Sequence, residues 1–285
     1  MTAVAALRLP LSVNLTAFVA LLQRMQIAHR VTEEFDEQVC WVPDEPLAET
    51  VRTLYSRYPQ GDASTQVSVK SGSMQVIWQR LGANWMSAAV LLFTLLVAMV
   101  TLLGDNLSGI QWLSFQAFRI DGDYLVFTPL SDSLASGQWW RLLTPMFVHF
   151  GVLHLAMNAM WYWELGRRIE QQQGPWVLLG LTLLYGLTSN VAQFLFGGPS
   201  LFGGLSGVLY GLLGYCWIYQ RLAPTPAYRL PPGVLVMMLV WLLLCLFGVI
   251  SALGFGAIAN AAHVGGLLVG CLTGLFAGAL ARRRG

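Results

Sequence analysis

Two side chains with complementary chemistry stand in otherwise apolar stretches of this chain. They are Ser206, in Gly204-Leu205-Ser206-Gly207, and His263, in Asn260-Ala261-Ala262-His263-Val264-Gly265-Gly266. A serine hydroxyl becomes a useful nucleophile when a neighbouring base takes its proton, and a neutral imidazole is such a base. Glycines beside the serine permit close backbone approach, and a helix starting there would present free N–H groups to an oxyanion. Glycine recurs at 266, 270, 274 and 278, a period of four that makes one smooth helix face. The stretch opened by Ser206 is also rich in glycine at its start and is the expected partner for that face. An interhelical hydrogen bond between two packing residues would need the same pattern, so on these residues alone both readings stand.

What the chain lacks narrows the chemistry. Lys70 is its only lysine and lies outside the apolar stretches, so no Ser–Lys pair is available there. No Asp or Glu follows Glu170, which argues against a buried Ser-His-Asp triad and for a two-residue dyad. There is no H-E-x-x-H and no pair of aspartates in the apolar stretches, so neither a metal nor any other cofactor is expected. Cys40, Cys216, Cys245 and Cys271 are widely spaced and read as small packing residues. His154 and Asn158 are four apart and share one helix face, from which both could donate to one oxyanion or tie that helix to a neighbour. His149 reads as an interfacial or packing residue.

These groups need a scaffold in lipid. The chain of 285 residues is 56% hydrophobic and 11% charged, against about 25% charged in a typical soluble domain. Eight of its fourteen acidic residues precede residue 63. Six spans are expected, at 84–104, 146–166, 175–196, 203–220, 233–253 and 259–281, each near the roughly 20 residues a bilayer requires. With the N-terminus inside, the inner flanks carry Arg80, Arg167, Arg168, Arg221, Arg229 and Arg282 to Arg284, while the outer loops carry only Arg119 and Arg141. Both termini are therefore expected in the cytoplasm, in keeping with a start that does not read as a signal peptide. The net charge of +2 gives no reason to expect nucleic acid as a partner.

The expected fold is an all-α polytopic membrane protein, 84–281, behind a small α+β cytoplasmic domain at 1–60. In that domain, Asn14 to Gln26 has helical spacing, Ile27–Thr32 and Gln38–Val42 read as strands around the acidic turn Glu33–Glu37, and Asp44 offers an N-cap to a second helix. Residues 61–83 read as a linker and approach to the membrane, and 282–285 as a basic tail. The long connection Asp105 to Pro145, with Trp112, Phe115, Phe118, Trp139 and Trp140, reads as partly embedded at the interface.

Five motifs then occur in order: Trp140-Arg141, His154 with Asn158, Gly166-x-x-x-Glu170-x-x-x-Gly174, Gly204-x-Ser206-Gly207, and Ala262-His263-x-x-Gly266. In these the chain resembles the rhomboid intramembrane serine proteases, in particular their bacterial GlpG-type branch. The resemblance implies a six-helix bundle in the bacterial inner membrane that cleaves transmembrane protein substrates in or near their membrane segments. Ser206 would be the nucleophile and His263 the base, with His154, Asn158 and the Ser206 backbone N–H as oxyanion hole. Tyr210 would stack on His263, Trp140 and Arg141 would brace the first loop, and Glu170 would hold the cytoplasmic end of the second span. Gly204, Gly207 and Gly266 would serve backbone approach. The loop Gly254–Ile258 would cap the site, and the fifth span would be a mobile gate.

Hydrolysis requires water, so the short fourth span is expected to place Ser206 in a wet, outward-open cavity. It also requires an unwound peptide bond, which favours Gly, Pro or small residues near the cut. Two other readings use the same architecture: a silent binder of membrane clients, against which the intact Ser and His count, and a small-solute transporter. The transporter reading lacks the embedded charges and inverted halves that would support it.

Overall fold

The computed structural model describes residues 4–61, 82–231 and 233–283. The chain divides into two units between Ile77 and Trp78. Most of the linker expected at 61–83 and the end of the basic tail lie outside the described residues.

The first unit is a three-stranded antiparallel sheet with two helices. Its strands are β1 (Val4–Pro10), β2 (Arg30–Glu34) and β3 (Glu37–Val42), in the order β1-β3-β2. Val39 on the central strand pairs with Arg8 on one side and Thr32 on the other. Helices α1 (Thr16–Arg24) and α2 (Glu45–Arg57) bury Phe18, Leu22, Ala48 and Val51 against Cys40 and Val42. Burial pushes the Cys40 thiol pKa up, which keeps it protonated. Asp44 caps α2 as expected, its side chain accepting from the Leu47 N–H at 3.0 Å.

Two details differ from the sequence reading. β2 begins at Arg30 rather than Ile27 and runs through the acidic residues, because the reversal is confined to Phe35 and Asp36, both at positive φ. β1 joins as an edge strand that no alternating pattern announces: Ala5 and Ala6 have little strand preference, and the pairing of Ala5 and Leu7 with β3, around an irregularity at Ala6, holds them there.

The second unit carries helices α3 (Trp85–Val100), α4 (Leu107–Leu113), α5 (Leu130–Ala135), α6 (Val152–Gln173), α7 (Pro175–Gly197), α8 (Ser206–Leu222), α9 (Val234–Leu246) and α10 (Asn260–Arg282). It is not purely helical, since β4 (Phe118–Asp121) and β5 (Tyr124–Phe127) form a hairpin in the long connection after α3. Of the helices, α7 and α10 are long and apolar enough to cross a bilayer, while α3 and α9 are apolar but shorter.

The expected second span at 146–166 is displaced to α6, 152–173. Residues 144–147 form a 3-10 turn, and Gly151, at φ 94°, delays the helix start. Gly174, at φ 93°, then ends it. The fifth span is also shorter than 233–253. α9 stops at Leu246 before Gly248, at φ 73°, and the chain continues through a π-type turn at Ser251–Phe255.

Polarity in this unit is arranged for an apolar surround. Leu96, Met157, Trp241, Leu268 and Phe276 are exposed, whereas Asn158, Glu170, Ser189, Asn190, Gln193 and His263 are buried. The tightest packing joins α8 to α10. A Cβ at Gly266 would collide with the Gly207 carbonyl oxygen, and one at Gly270 with that of Gly211. The period-four glycines thus bring two backbones into direct contact.

Candidate active site

Ser206 is the first residue of α8, so its own N–H and those of Gly207 and Val208 precede the first intrahelical bond, from Leu209 to the Leu205 carbonyl at 2.8 Å. The approach to this helix is strained into place. Gly204 has φ 108°, and a Cβ there would lie 2.7 Å from Nε2 of His154. Its N–H donates to the Pro145 carbonyl at 3.1 Å. Only glycine combines that dihedral with that approach to an imidazole.

His263 stands one turn into α10 and is 5% exposed. Its Nε2 lies 2.8 Å from Ser206 Oγ. Among the described residues, its buried Nδ1 has no hydrogen-bond partner. If the serine hydroxyl donates to Nε2, the ring proton resides on Nδ1, the tautomer a base needs. The close packing of α8 on α10 is what allows the contact, since Gly207 follows Ser206 and Gly266 lies one turn after His263. Tyr210, one turn along α8, lies against the imidazole with ring centroids 5.0 Å apart and planes at 43°. Its hydroxyl donates to the Met238 carbonyl of α9 at 3.0 Å.

His154 and Asn158 are brought to the same region less directly. His154 borders the loop before Ser206 through Gly204, and its Nδ1 accepts from the Phe150 N–H at 3.4 Å. Asn158 donates one amide hydrogen to the His154 carbonyl at 2.8 Å, and its Oδ1 is buried without a partner.

His149 has more contacts than its sequence position suggests. It is fully buried, its ring centroid lies 5.0 Å from that of His154, and its Nδ1 is 3.0 Å from the Phe147 carbonyl oxygen. That pairing leaves Nε2 as acceptor for the Leu205 N–H at 3.5 Å, directly before Ser206. The signal in the sequence was Gly151: a helix start there places His149 outside the helix and facing the serine loop.

Asn190 and Gln193 also hold the surroundings. Asn190 donates to the Leu142 carbonyl at 2.9 Å, and Gln193 Oε1 accepts from the Ala262 N–H at 3.3 Å, beside His263.

The remaining expected residues make their hydrogen bonds with other partners. Trp140 donates through Nε1 to the Trp112 carbonyl at 2.9 Å. Arg141 is buried and bonds Gln138 Oε1 at 2.6 Å, the Gln111 carbonyl at 2.7 Å and the Ser114 carbonyl at 2.9 Å. It thereby satisfies carbonyls at the end of α4. Glu170 accepts from the Met86 and Ser87 N–H groups at 2.8 and 2.9 Å and from the Ser87 hydroxyl at 2.6 Å, joining the end of α6 to the start of α3.

Ser206 borders a space of about 10 Å³ shared with Met146, Ser189, Asn190, Phe202 and Ala262. That is near the lower limit for one water molecule.

The sequence matches the family model of the rhomboid domain over residues 136–280 and that of the rhomboid N-terminal domain over residues 1–69. It is 31% identical over 271 residues to a rhomboid protease GlpG of Serratia proteamaculans, an alignment that covers 90% of each chain. It is 40% identical over 156 residues to a rhomboid protease GlpG of Yersinia pestis, covering 54% of each.

Proposed function

The chain belongs to the rhomboid family, and on that premise we propose that Ser206 and His263 are the catalytic dyad of this intramembrane serine protease. The observation that carries the assignment is the 2.8 Å contact between Ser206 Oγ and His263 Nε2. That no described residue partners His263 Nδ1 supports a pair rather than a triad. In the first step the Ser206 oxygen attacks the scissile carbonyl carbon while its proton passes to His263 Nε2. The carbonyl oxygen becomes an oxyanion, met by the Ser206 N–H at the start of α8, by His154 and by the second amide hydrogen of Asn158. Collapse expels the amine, which takes the proton back from His263. Water, deprotonated by the same nitrogen, then attacks the acyl carbon, and the C–Oγ bond breaks as Ser206 Oγ takes that proton back from His263.

The substrates are membrane proteins. We read the cut as lying where a transmembrane segment unwinds readily, with a small residue before the scissile bond, because a helical peptide bond is shielded by its own hydrogen bonding. The arginine distribution supports six spans with both termini in the cytoplasm, and membership of the rhomboid family supports the bacterial inner membrane as the location.

The test uses the purified full chain in detergent with a labelled transmembrane substrate. Cleavage should vanish in Ser206→Ala, and a fluorophosphonate should label Ser206 in the parent but not in His263→Ala. Undiminished cleavage by Ser206→Ala would remove the assignment.

A further inference from the structure

The loop that delivers Ser206 rests on one stretch of backbone. Residues 139–142 and 144–147 form two short 3-10 turns, and the strap they make continues to His149. The Pro145 carbonyl accepts from the Gly204 N–H at 3.1 Å, and His149 Nε2 accepts from the Leu205 N–H at 3.5 Å. A Cβ at Gly203 would lie 2.5 Å from the Val148 carbonyl oxygen and 2.8 Å from that of Pro145. Strap and loop therefore meet backbone to backbone, with no flexible side chain between them to absorb a shift. Gly203, Gly204 and Leu205 all take their places from the strap, and Ser206 comes next.

The strap in turn depends on a few side-chain bonds, because turns this short satisfy few of their own carbonyls. From α7, the Asn190 amide donates to the Leu142 carbonyl at 2.9 Å and reaches that of Leu143 at 3.4 Å. The Thr144 hydroxyl donates to the Leu113 carbonyl, at the end of α4, at 2.7 Å. Both attachments fall within three residues before Pro145, whose ring fixes its φ, so the Pro145 carbonyl goes where they put it. Asn190 is 4% exposed and lines the same small space as Ser206. A carboxamide buried in an apolar helix is costly, and here its hydrogens are spent on main-chain carbonyls of the strap.

We propose that Asn190 is a positioning residue for the serine: its amide fixes the strap, and the strap fixes the Gly204–Leu205 backbone and with it the Ser206 Oγ and N–H. The inference rests on Ser206 being the nucleophile, but the contact between strap and loop is readable without catalysis. Asn190 moves no proton and holds no substrate. Its effect is geometric and falls on the chemical step, where a displacement of about 1 Å costs up to about 10²-fold in rate.

The test compares the full chain in detergent as parent, Asn190→Leu, Thr144→Val and Thr182→Val. Asn190→Leu removes the donor, and Thr144→Val frees the strap at its other attachment, which keeps the proposal testable if the first variant fails to fold. Thr182→Val is the control, since it removes the buried 2.8 Å hydrogen bond to Tyr162 from the same helix, about two turns from Asn190. With enzyme amount set by folded protein, Asn190→Leu and Thr144→Val should each lower kcat by about 10–100-fold at unchanged KM. Fluorophosphonate labelling of Ser206 should slow to the same degree. Thr182→Val should lower the melting temperature and leave both rates as in the parent.

Amide hydrogen exchange at residues 203–205, followed by mass spectrometry in a Ser206→Ala background, should quicken in the two strap variants and not in Thr182→Val. Faster exchange there, with no labelling of Ser206 even in the parent, would remove the nucleophile and leave the strap standing. Unchanged exchange, or an unchanged kcat, in both strap variants overturns the proposal. An equal fall of kcat in Thr182→Val also overturns it, because it reports loosening of the whole bundle.

Discussion

Gly266 lies so close to Gly207 that a Cβ on the former would occupy the space of the latter's carbonyl oxygen. Gly207 follows Ser206, and Gly266 lies three residues after His263. The depth at which α8 and α10 interlock therefore sets the distance between hydroxyl and imidazole, and the dyad geometry is a consequence of backbone packing.

That relationship makes Gly266→Ala a costly change. We expect a loss of about 1–3 kcal/mol from overpacking, together with a fall in cleavage as the two helices separate. Gly180 on α7 is exposed and a Cβ there meets nothing within 4 Å, so Gly180→Ala should leave stability within about 1 kcal/mol of the parent or raise it. Thermal unfolding of both variants in the same detergent, beside cleavage of a labelled transmembrane substrate, separates the two sites. Equal behaviour would dissociate the glycine face from the dyad.

A serine and its base act as one unit, and their losses should not add. Ser206→Ala, His263→Ala and the double variant are each expected to lower kcat by at least about a thousandfold, to nearly the same residual rate. Single-turnover cleavage with enzyme in excess is the appropriate measurement. A double variant slower than both singles by the product of their factors would mean that the two side chains act independently.

Glu170 should govern stability rather than chemistry. Its carboxylate accepts three hydrogen bonds, two of them from N–H groups in the first turn of α3. Glu170→Ala leaves those buried donors unpaired and should cost about 3 kcal/mol or more. Ser87→Ala removes one hydroxyl and should cost about 1 kcal/mol. The order of melting temperatures, parent above Ser87→Ala above Glu170→Ala, checks the reading, and its inversion would contradict it.

The parts of this architecture legible in the sequence are those with strong local causes. The glycines at 266, 270, 274 and 278 announced a backbone contact, and Asp44 announced a cap, because period and residue type suffice for both. His149 was undervalued because its partners, the Phe147 carbonyl and the Leu205 N–H, depend on where α6 starts, and hydropathy continued that helix back through Gly151. β1 was invisible because pairing with β3, not its own residues, makes it a strand. The hydrogen bonds from Tyr210 and Asn260 to the Met238 and Cys245 carbonyls were not readable either, because backbone acceptors leave no mark in a sequence.

The oxyanion donors provide the sharpest remaining test of the chemistry. Asn158 spends one amide hydrogen on the His154 carbonyl at 2.8 Å, which fixes the carboxamide while leaving its second hydrogen available. His154 is placed through Gly204, whose absent Cβ admits the imidazole. Both groups would act only once negative charge develops on the substrate oxygen, so their removal should lower kcat and leave KM nearly unchanged. We expect His154→Ala and Asn158→Ala each to reduce kcat by about 10²–10³-fold, with unfolding temperatures close to the parent. Steady-state cleavage of a transmembrane substrate in liposomes, with enzyme amount set by folded protein, gives the two constants separately. A rise in KM at constant kcat would instead make these residues part of substrate binding and leave the backbone N–H groups of α8 as the oxyanion donors.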